Sequence, residues 1–338
     1  MVLAARLHSQ LLSGARPASA LEATRRLLAV QGQDPRGARL AIRARSSVVS
    51  AAAVDRALNE RELVITWVNR GTLHLIAAED EPLLHALTTP QLRTGSERRL
   101  RQEGVSEAAA RRGVRAITAA LESGPQTREE LRGVLERSRV PTAGQALIHV
   151  LFAATLDGLI VRGPMRGAQQ QFVLAADWIG PRPALDIEAA SAELARRYLE
   201  GHGPAGASDL AKWAGITLGR ARSALAAIAP QLNELPGGLV DLRGRRHPPR
   251  APRATLLGAF DPLLLGWSER ELVAGPNEAW IVSGGVFRPV ALIAGRAAGT
   301  WSLQRGRVAL DLWDPAATPP AAVAALAREA AAVEAYLR

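Results

Sequence analysis

The stretch SDLAKWAGITLGRARSALAAI, residues 208–228, reads as two helices joined by a tight turn. Ser208 can cap the first helix, Gly215 supplies the turn and Thr217 can cap the second, the punctuation of a helix-turn-helix. LNELPGGLVDL, residues 232–242, follows as two short strands around Pro-Gly-Gly, a hairpin wing. Arg220 and Arg222 fall early and outward on the second helix, where they suit contact with a major groove or with phosphates. A solvated helical face would place them the same way.

Upstream, the helix-helix-hairpin order recurs twice. Residues 19–29, 36–45 and 51–59 carry helical periodicity and lead into alternating strands over 63–76, turned at Asn69-Arg70-Gly71. Helical stretches from 106 onward lead into LIVRG, 159–163, and QQFVL, 170–174, with Gly163-Pro164 and Gly167 marking a wing between them. The repeats differ too much in sequence for a solenoid, which leaves three tandem winged-helix units over 1–105, 106–184 and 185–246. RRHPPRAPRAT, 245–255, reads as a linker. Beyond it, TLLGAF, WIVSG, RPVALI, GTWSL and RVALDL are short strands that predict a small β-barrel or sandwich over 247–316. The tail, 317–338, predicts a helix with Val323, Leu326, Ala330, Val333 and Leu337 on its core-facing stripe. The fold class expected is mainly α with β.

A chain of 338 residues exceeds what one core usually serves, and 48% hydrophobic residues suffice for several. There is no long uncharged apolar run, and MVLAARLHSQ lacks a signal-peptide core, so neither a membrane nor secretion is expected and the cytoplasm is. The absence of cysteine excludes disulfides, thiolate zinc sites, iron–sulfur clusters and a cysteine nucleophile. No metal or cofactor is expected. A net charge of +10 favours a polyanionic partner, nucleic acid first, with binding that weakens in salt. Lys212 is the only lysine, so an arginine-biased composition would account for the same charge.

VQGQDPRGAR, residues 30–39, holds the candidate chemistry. Side chains at i and i+2 share a face only in extended chain, so Gln31 and Gln33 converge if a helix ends before them. Asp34-Pro35 supports that ending, being an N-cap and N1 pair that starts a new helix over 36–45. A carboxamide is almost useless as a base, but it can accept from a water and donate elsewhere, and so position a nucleophile. That suffices for a leaving group that already carries positive charge. Asp34 could act as a true base, although capping explains it without chemistry. A satisfied polar corner would also explain the glutamine pair.

TWVNRGTLHL, residues 66–75, forms the first hairpin. His74 is a candidate to share the cleft of the glutamines, with Asn69 and Thr72 as companions, while Arg70 at the wing tip suits a phosphate or minor-groove contact. Schiff-base chemistry needs an amine, and Lys212 lies far in sequence from the glutamines, which favours hydrolysis by water at the pair.

LAVQGQDPRGARLAIRAR, TWVNRGTLHLIAAED, LLGAFDPLLLGWSER and SGGVFRPVALIAGRAAGTW together resemble the AlkZ-type winged-helix DNA glycosylases, over most of the chain. The resemblance implies three tandem winged helices and a C-terminal β-barrel arranged as a C around DNA. It also implies excision of alkylated purines, including bulky natural-product adducts, some relatives giving self-resistance to alkylating antibiotics. The family motif, Gln-aliphatic-Gln, falls on Gln31, Gly32 and Gln33, and Gly32 departs from the aliphatic position. Trp267 and Arg288 in the barrel segment become candidates for contact with the lesion or DNA, and barrel packing would equally explain the tryptophan. The expected partner is double-stranded DNA carrying alkylated purines, bound by a monomer.

A transcriptional regulator is the rival from another class; it would need no glutamine pair and would dimerise on a palindrome. A third reading is a lesion-binding protein that releases no base.

Overall fold

Asp34 accepts a hydrogen bond from the Arg36 N–H at 3.0 Å, and Pro35 follows at the first helical position, so helix Pro35–Arg45 starts where the sequence asks it to. The structure is a computed structural model and describes residues 1–246 and 254–338; the linker expected at 245–255 lies largely outside them. The chain falls into two units, residues 1–54 with 191–338, and residues 55–190. This partition joins the two ends of the sequence.

In the first unit, helix Pro35–Arg45 and helix Pro320–Tyr336 pack on a four-stranded antiparallel sheet ordered Arg307–Leu312, Arg296–Gln304, Val290–Ile293, Ala254–Leu257. Leu40, Leu256, Ala291, Trp301, Leu326, Val333 and Tyr336 form the buried cluster between them. The Tyr336 hydroxyl donates to the Arg39 carbonyl at 2.9 Å, and the Trp301 indole to Leu257 at 2.8 Å, so the large rings are buried without unpaired polar groups. The sheet is open: among the described residues no closed barrel forms, and the barrel expectation is corrected to a four-stranded sheet with a separate hairpin, Val282–Ser283 and Val286–Phe287. Short strands at regular spacing fit either arrangement, and only pairing distinguishes them. Val323, placed on the tail's core stripe by periodicity, is 43% exposed; Ala322 and Ala325 take the buried positions instead.

The same unit holds helices Ala207–Ala214 and Leu218–Ala227, followed by the antiparallel pair Leu232–Leu235 and Leu239–Leu242. Gly215 ends the first helix at φ 70°, and the Thr217 side chain accepts from the Arg220 N–H at 3.2 Å. Ser208 does not cap. The helix begins at Ala207 with Gly206 at the N-cap, two residues before the expected cap, and the Asp209 carboxylate reaches back to the Gly206 N–H at 3.0 Å.

The second unit carries five strands in the order Thr72–Ala77, Leu63–Val68, Ile160–Arg166, Gln169–Leu174, Gln126–Thr127. Two hairpins that the sequence assigns to separate wings therefore merge into one sheet through Ile65 and Arg162, since each hairpin left alone would expose an unpaired edge. Gly163 and Pro164 lie within the strand Ile160–Arg166, at a register shift between Arg162 and Met165, and the turn itself is at Gly167. Helices Glu107–Leu121, Arg128–Arg137 and Ala146–Leu156 close over the sheet around Trp67, Ile117, Leu131, Leu135, Val150 and Phe172.

Candidate active site

Helix Ala20–Leu27 stops at Leu28, whose φ of 63° breaks the helical path two residues short of the expected end. The chain then runs extended through Val30–Gln31 before the cap at Asp34, so Gln31 and Gln33 share a side. They meet directly: Gln31 Nε2 donates to Gln33 Oε1 at 2.5 Å. Gln31 is buried at 7% exposure and Gln33 is exposed. The buried amide thus orients the exposed one, whose carbonyl has a second lone pair that could accept from a water.

This corner is held from below by contacts that the sequence does not announce. A Cβ on Gly37 would stand 2.3 Å from the Ala259 carbonyl oxygen, and one on Gly258 would stand 2.9 Å from Gly37 Cα. The first turn of helix Pro35–Arg45 is therefore seated backbone to backbone on residues 258–259, an approach that only glycine permits. At the helix's last residue, Arg45 forms a two-pronged ion pair with Asp261 at 2.6 and 2.9 Å, both side chains fully buried. Gln10 accepts from the same guanidinium at 2.9 Å and donates to Gly201 at 3.0 Å. Asp261 also caps helix Pro262–Leu265 through the Leu263 N–H. The motifs QDPRG and LLGAFDP, far apart in sequence, are thus one structural device.

The remaining sequence candidates divide. Asp34 spends one carboxylate oxygen on the Arg36 N–H. Arg220, Arg222 and Arg288 are exposed. Trp267 is not placed to meet DNA: it is 4% exposed, its indole donates to the His202 carbonyl at 2.9 Å, and the Arg6 guanidinium stacks over it at 4.5 Å. Burying so large a ring in the first unit's core outweighs exposing it. Arg70 is half-buried rather than at an exposed tip.

In the second unit's hairpin, His74 is 3% exposed. Burial above all, then the Arg70 charge, pushes its pKa down to about 3 against the opposing Thr72 carbonyl. At neutral pH it is an uncharged imidazole bound through Nδ1 to that carbonyl at 2.9 Å, unsuited to proton uptake. Asn69 is fully buried at φ 57°, and neither of its amide atoms has a partner among the described residues; the same holds for Thr72 Oγ1. Among the described residues no three His, Asp or Glu side chains gather as metal ligands, and no helix is long and apolar enough to cross a membrane.

The protein is a mixed α/β fold with a hydrogen-bonded carboxamide pair just before a helix start. The model of the AlkZ-like DNA glycosylases matches residues 24–336, and the chain belongs to that family. It is 28% identical over 337 residues to an interstrand DNA cross-link repair glycosylase of Streptomyces sahachiroi, with 89% of this chain and 87% of that one covered. It also superposes on the solved structure of Streptomyces sahachiroi DNA glycosylase AlkZ with a TM-score of 0.80 at 25% identity, covering 99% of this chain and 95% of that one.

Proposed function

We propose that this protein is a monofunctional DNA glycosylase that hydrolyses the N-glycosidic bond of cationic alkylated purines, N7-alkylguanine and bulky natural-product adducts among them, leaving an abasic site. The observation that carries the reading is the Gln31–Gln33 hydrogen bond, which aims one exposed amide while fixing it from a buried neighbour. An N7-alkylated purine leaves as a neutral base without prior protonation. What the protein must supply is a placed water and dipoles facing the positive charge that develops on the sugar. Carboxamides provide both. The sole lysine, Lys212, donates to the Ser268 carbonyl at 3.1 Å, which supports hydrolysis over Schiff-base chemistry.

The units of helices and hairpin act as winged helices on duplex DNA, bound by a monomer, with Arg220, Arg222 and Arg288 as exposed candidates for phosphate contact. The named activity of the Streptomyces sahachiroi relative extends the proposal to a purine tethered to the opposite strand, since the bond broken is the same.

The test is single-turnover release of N7-methylguanine from duplex DNA, read as freed base and alkali-sensitive sites. Gln33→Ala lowers the rate about 10²- to 10³-fold, the usual cost of removing one preorganised polar group. Unchanged release in a variant lacking both glutamines overturns the proposal.

A further inference from the structure

Strand Ile160–Arg166 carries a cation whose surroundings are unusual. Arg162 faces Phe172 on one neighbouring strand and Ile65 on the other, and Phe172 in turn pairs with Gln126, so Ile65, Arg162, Phe172 and Gln126 form one row across the sheet. The Arg162 guanidinium carbon lies 4.8 Å from the centre of the Trp67 ring and 5.0 Å from that of Phe172. Trp67 is itself fixed by Phe152, edge-on at 5.6 Å. Arg162 Nε is sealed from solvent with no partner, and no carboxylate pairs with the side chain among the described residues. The charge beside it is another cation, Arg128, exposed on the first turn of helix Arg128–Arg137 two residues beyond Gln126. Burial first, then Arg128, lowers the Arg162 pKa to about 10. Nearby Arg166 is already taken by Glu130 at 2.7 Å.

A guanidinium gripped between rings without an anion, within electrostatic reach of a second arginine two residues past the end of its row, costs stability that packing alone does not require, because a methionine of similar length would fill the same slot. Such a guanidinium is preorganised and poorly hydrated, the state that favours a two-pronged contact with phosphate oxygens. We propose that Arg162 and Arg128 together hold one backbone phosphate of duplex DNA, with Trp67 and Phe172 fixing the plane of the Arg162 fork. This rests on DNA being the substrate, and is separable from the chemistry at Gln31 and Gln33.

The experiment measures binding of undamaged duplex between roughly 50 and 200 mM salt, where each phosphate contact adds about 0.9 to the negative log–log slope. Arg162→Met, Arg128→Gln and the double variant each lose about one contact's worth of slope, because they share one phosphate. The Arg162→Met protein melts at or above the wild-type temperature. Should that variant fail to fold, Arg128→Gln, at an exposed position, must still flatten the slope. A sloped wild type with unaltered variants overturns the shared contact, as does a loss of two in the double variant. A flat wild type would instead sink the DNA reading itself. Inorganic phosphate at constant ionic strength should leave the duplex bound; displacement that Arg162→Met abolishes would assign the pair to free phosphate and overturn the DNA contact.

Discussion

Replacing Gly37 by alanine tests whether the seat beneath the glutamine corner sets the chemistry. The added methyl would meet the Ala259 carbonyl oxygen at 2.3 Å, and backbone on both sides leaves no flexible side chain to move aside. Relieving the clash to 3.0 Å needs a displacement of at least 0.7 Å at the helix's first turn, four residues from Gln33. Alanine favours a helix by about 1 kcal/mol, while overpacking costs about 1–3 kcal/mol, so the net loss of stability is about 0–2 kcal/mol and the protein stays folded. Catalysis is less tolerant, because a misplacement of about 1 Å can cost roughly a hundredfold, which makes a loss of tens-fold the expectation here. Urea denaturation reads the first quantity and single-turnover base release the second. Gly95→Ala is the control: nothing lies within 4 Å of its added methyl, so it should gain about 0.5–1 kcal/mol and leave release unchanged. Wild-type release from a Gly37→Ala protein would refute the claim that residues 258–259 position the glutamines.

Three further outcomes follow from the same geometry. Arg45→Met strands the Asp261 carboxylate in a fully buried site and should cost about 3–5 kcal/mol by denaturant titration; a loss below 1 kcal/mol would mean the pair is not holding the helix. Asp34→Asn keeps the N-cap, so stability should change by only a few tenths of a kcal/mol and release by only a few-fold, whereas collapse of release would make Asp34 the base. His202 is buried against Tyr198 with its Nε2 unpartnered and its pKa pushed down to about 3, first by burial. The unfolded chain takes up that proton as pH falls below about 6.5, so the stability it contributes is complete above that pH and drains away toward pH 3, at about 1.4 kcal/mol per unit. Between pH 7 and pH 5, His202→Gln should therefore lose roughly 2 kcal/mol less than the wild type in urea titrations, and an equal loss would show that His202 is not the linked group.

How much of this was legible in the sequence depended on whether the signal was local. Capping and turn chemistry wrote out the start of helix Pro35–Arg45 at Asp34-Pro35 and the turn at Gly215 and Thr217. The approach of Gln31 to Gln33 followed from the same local rule. Pairing across long separations was not legible. Nothing in Gly37 marks it as the partner of Gly258, nor in Arg45 as that of Asp261, and nothing in Ile65 marks it for Arg162. Helix Arg93–Gln102, RTGSERRLRQ, went unread because only Ser96 and Leu100 are buried, too few apolar positions for periodicity to register. For Trp267 the sequence left lesion contact and core packing open, because a tryptophan's indole can be satisfied equally by a ligand or by an internal carbonyl, and here His202 supplies the carbonyl.

The neutrality of the pair is itself a functional statement. A carboxylate at Gln33 would attract an N7-alkylated purine strongly before reaction, when the positive charge is on the base, as well as during it, when the charge has passed toward the sugar. Attraction common to both states tightens binding without lowering the barrier. An amide dipole is weaker in total, but its direction is fixed by the Gln31 bond, so under the proposed mechanism its effect would be concentrated on the side where charge arrives. Such a site depends on aim more than on charge. The rigid seat supplied by Gly37, Gly258 and the buried Arg45–Asp261 pair is therefore what a carboxamide mechanism demands, and a titrating residue in its place would bring a pH dependence that the glutamines do not have.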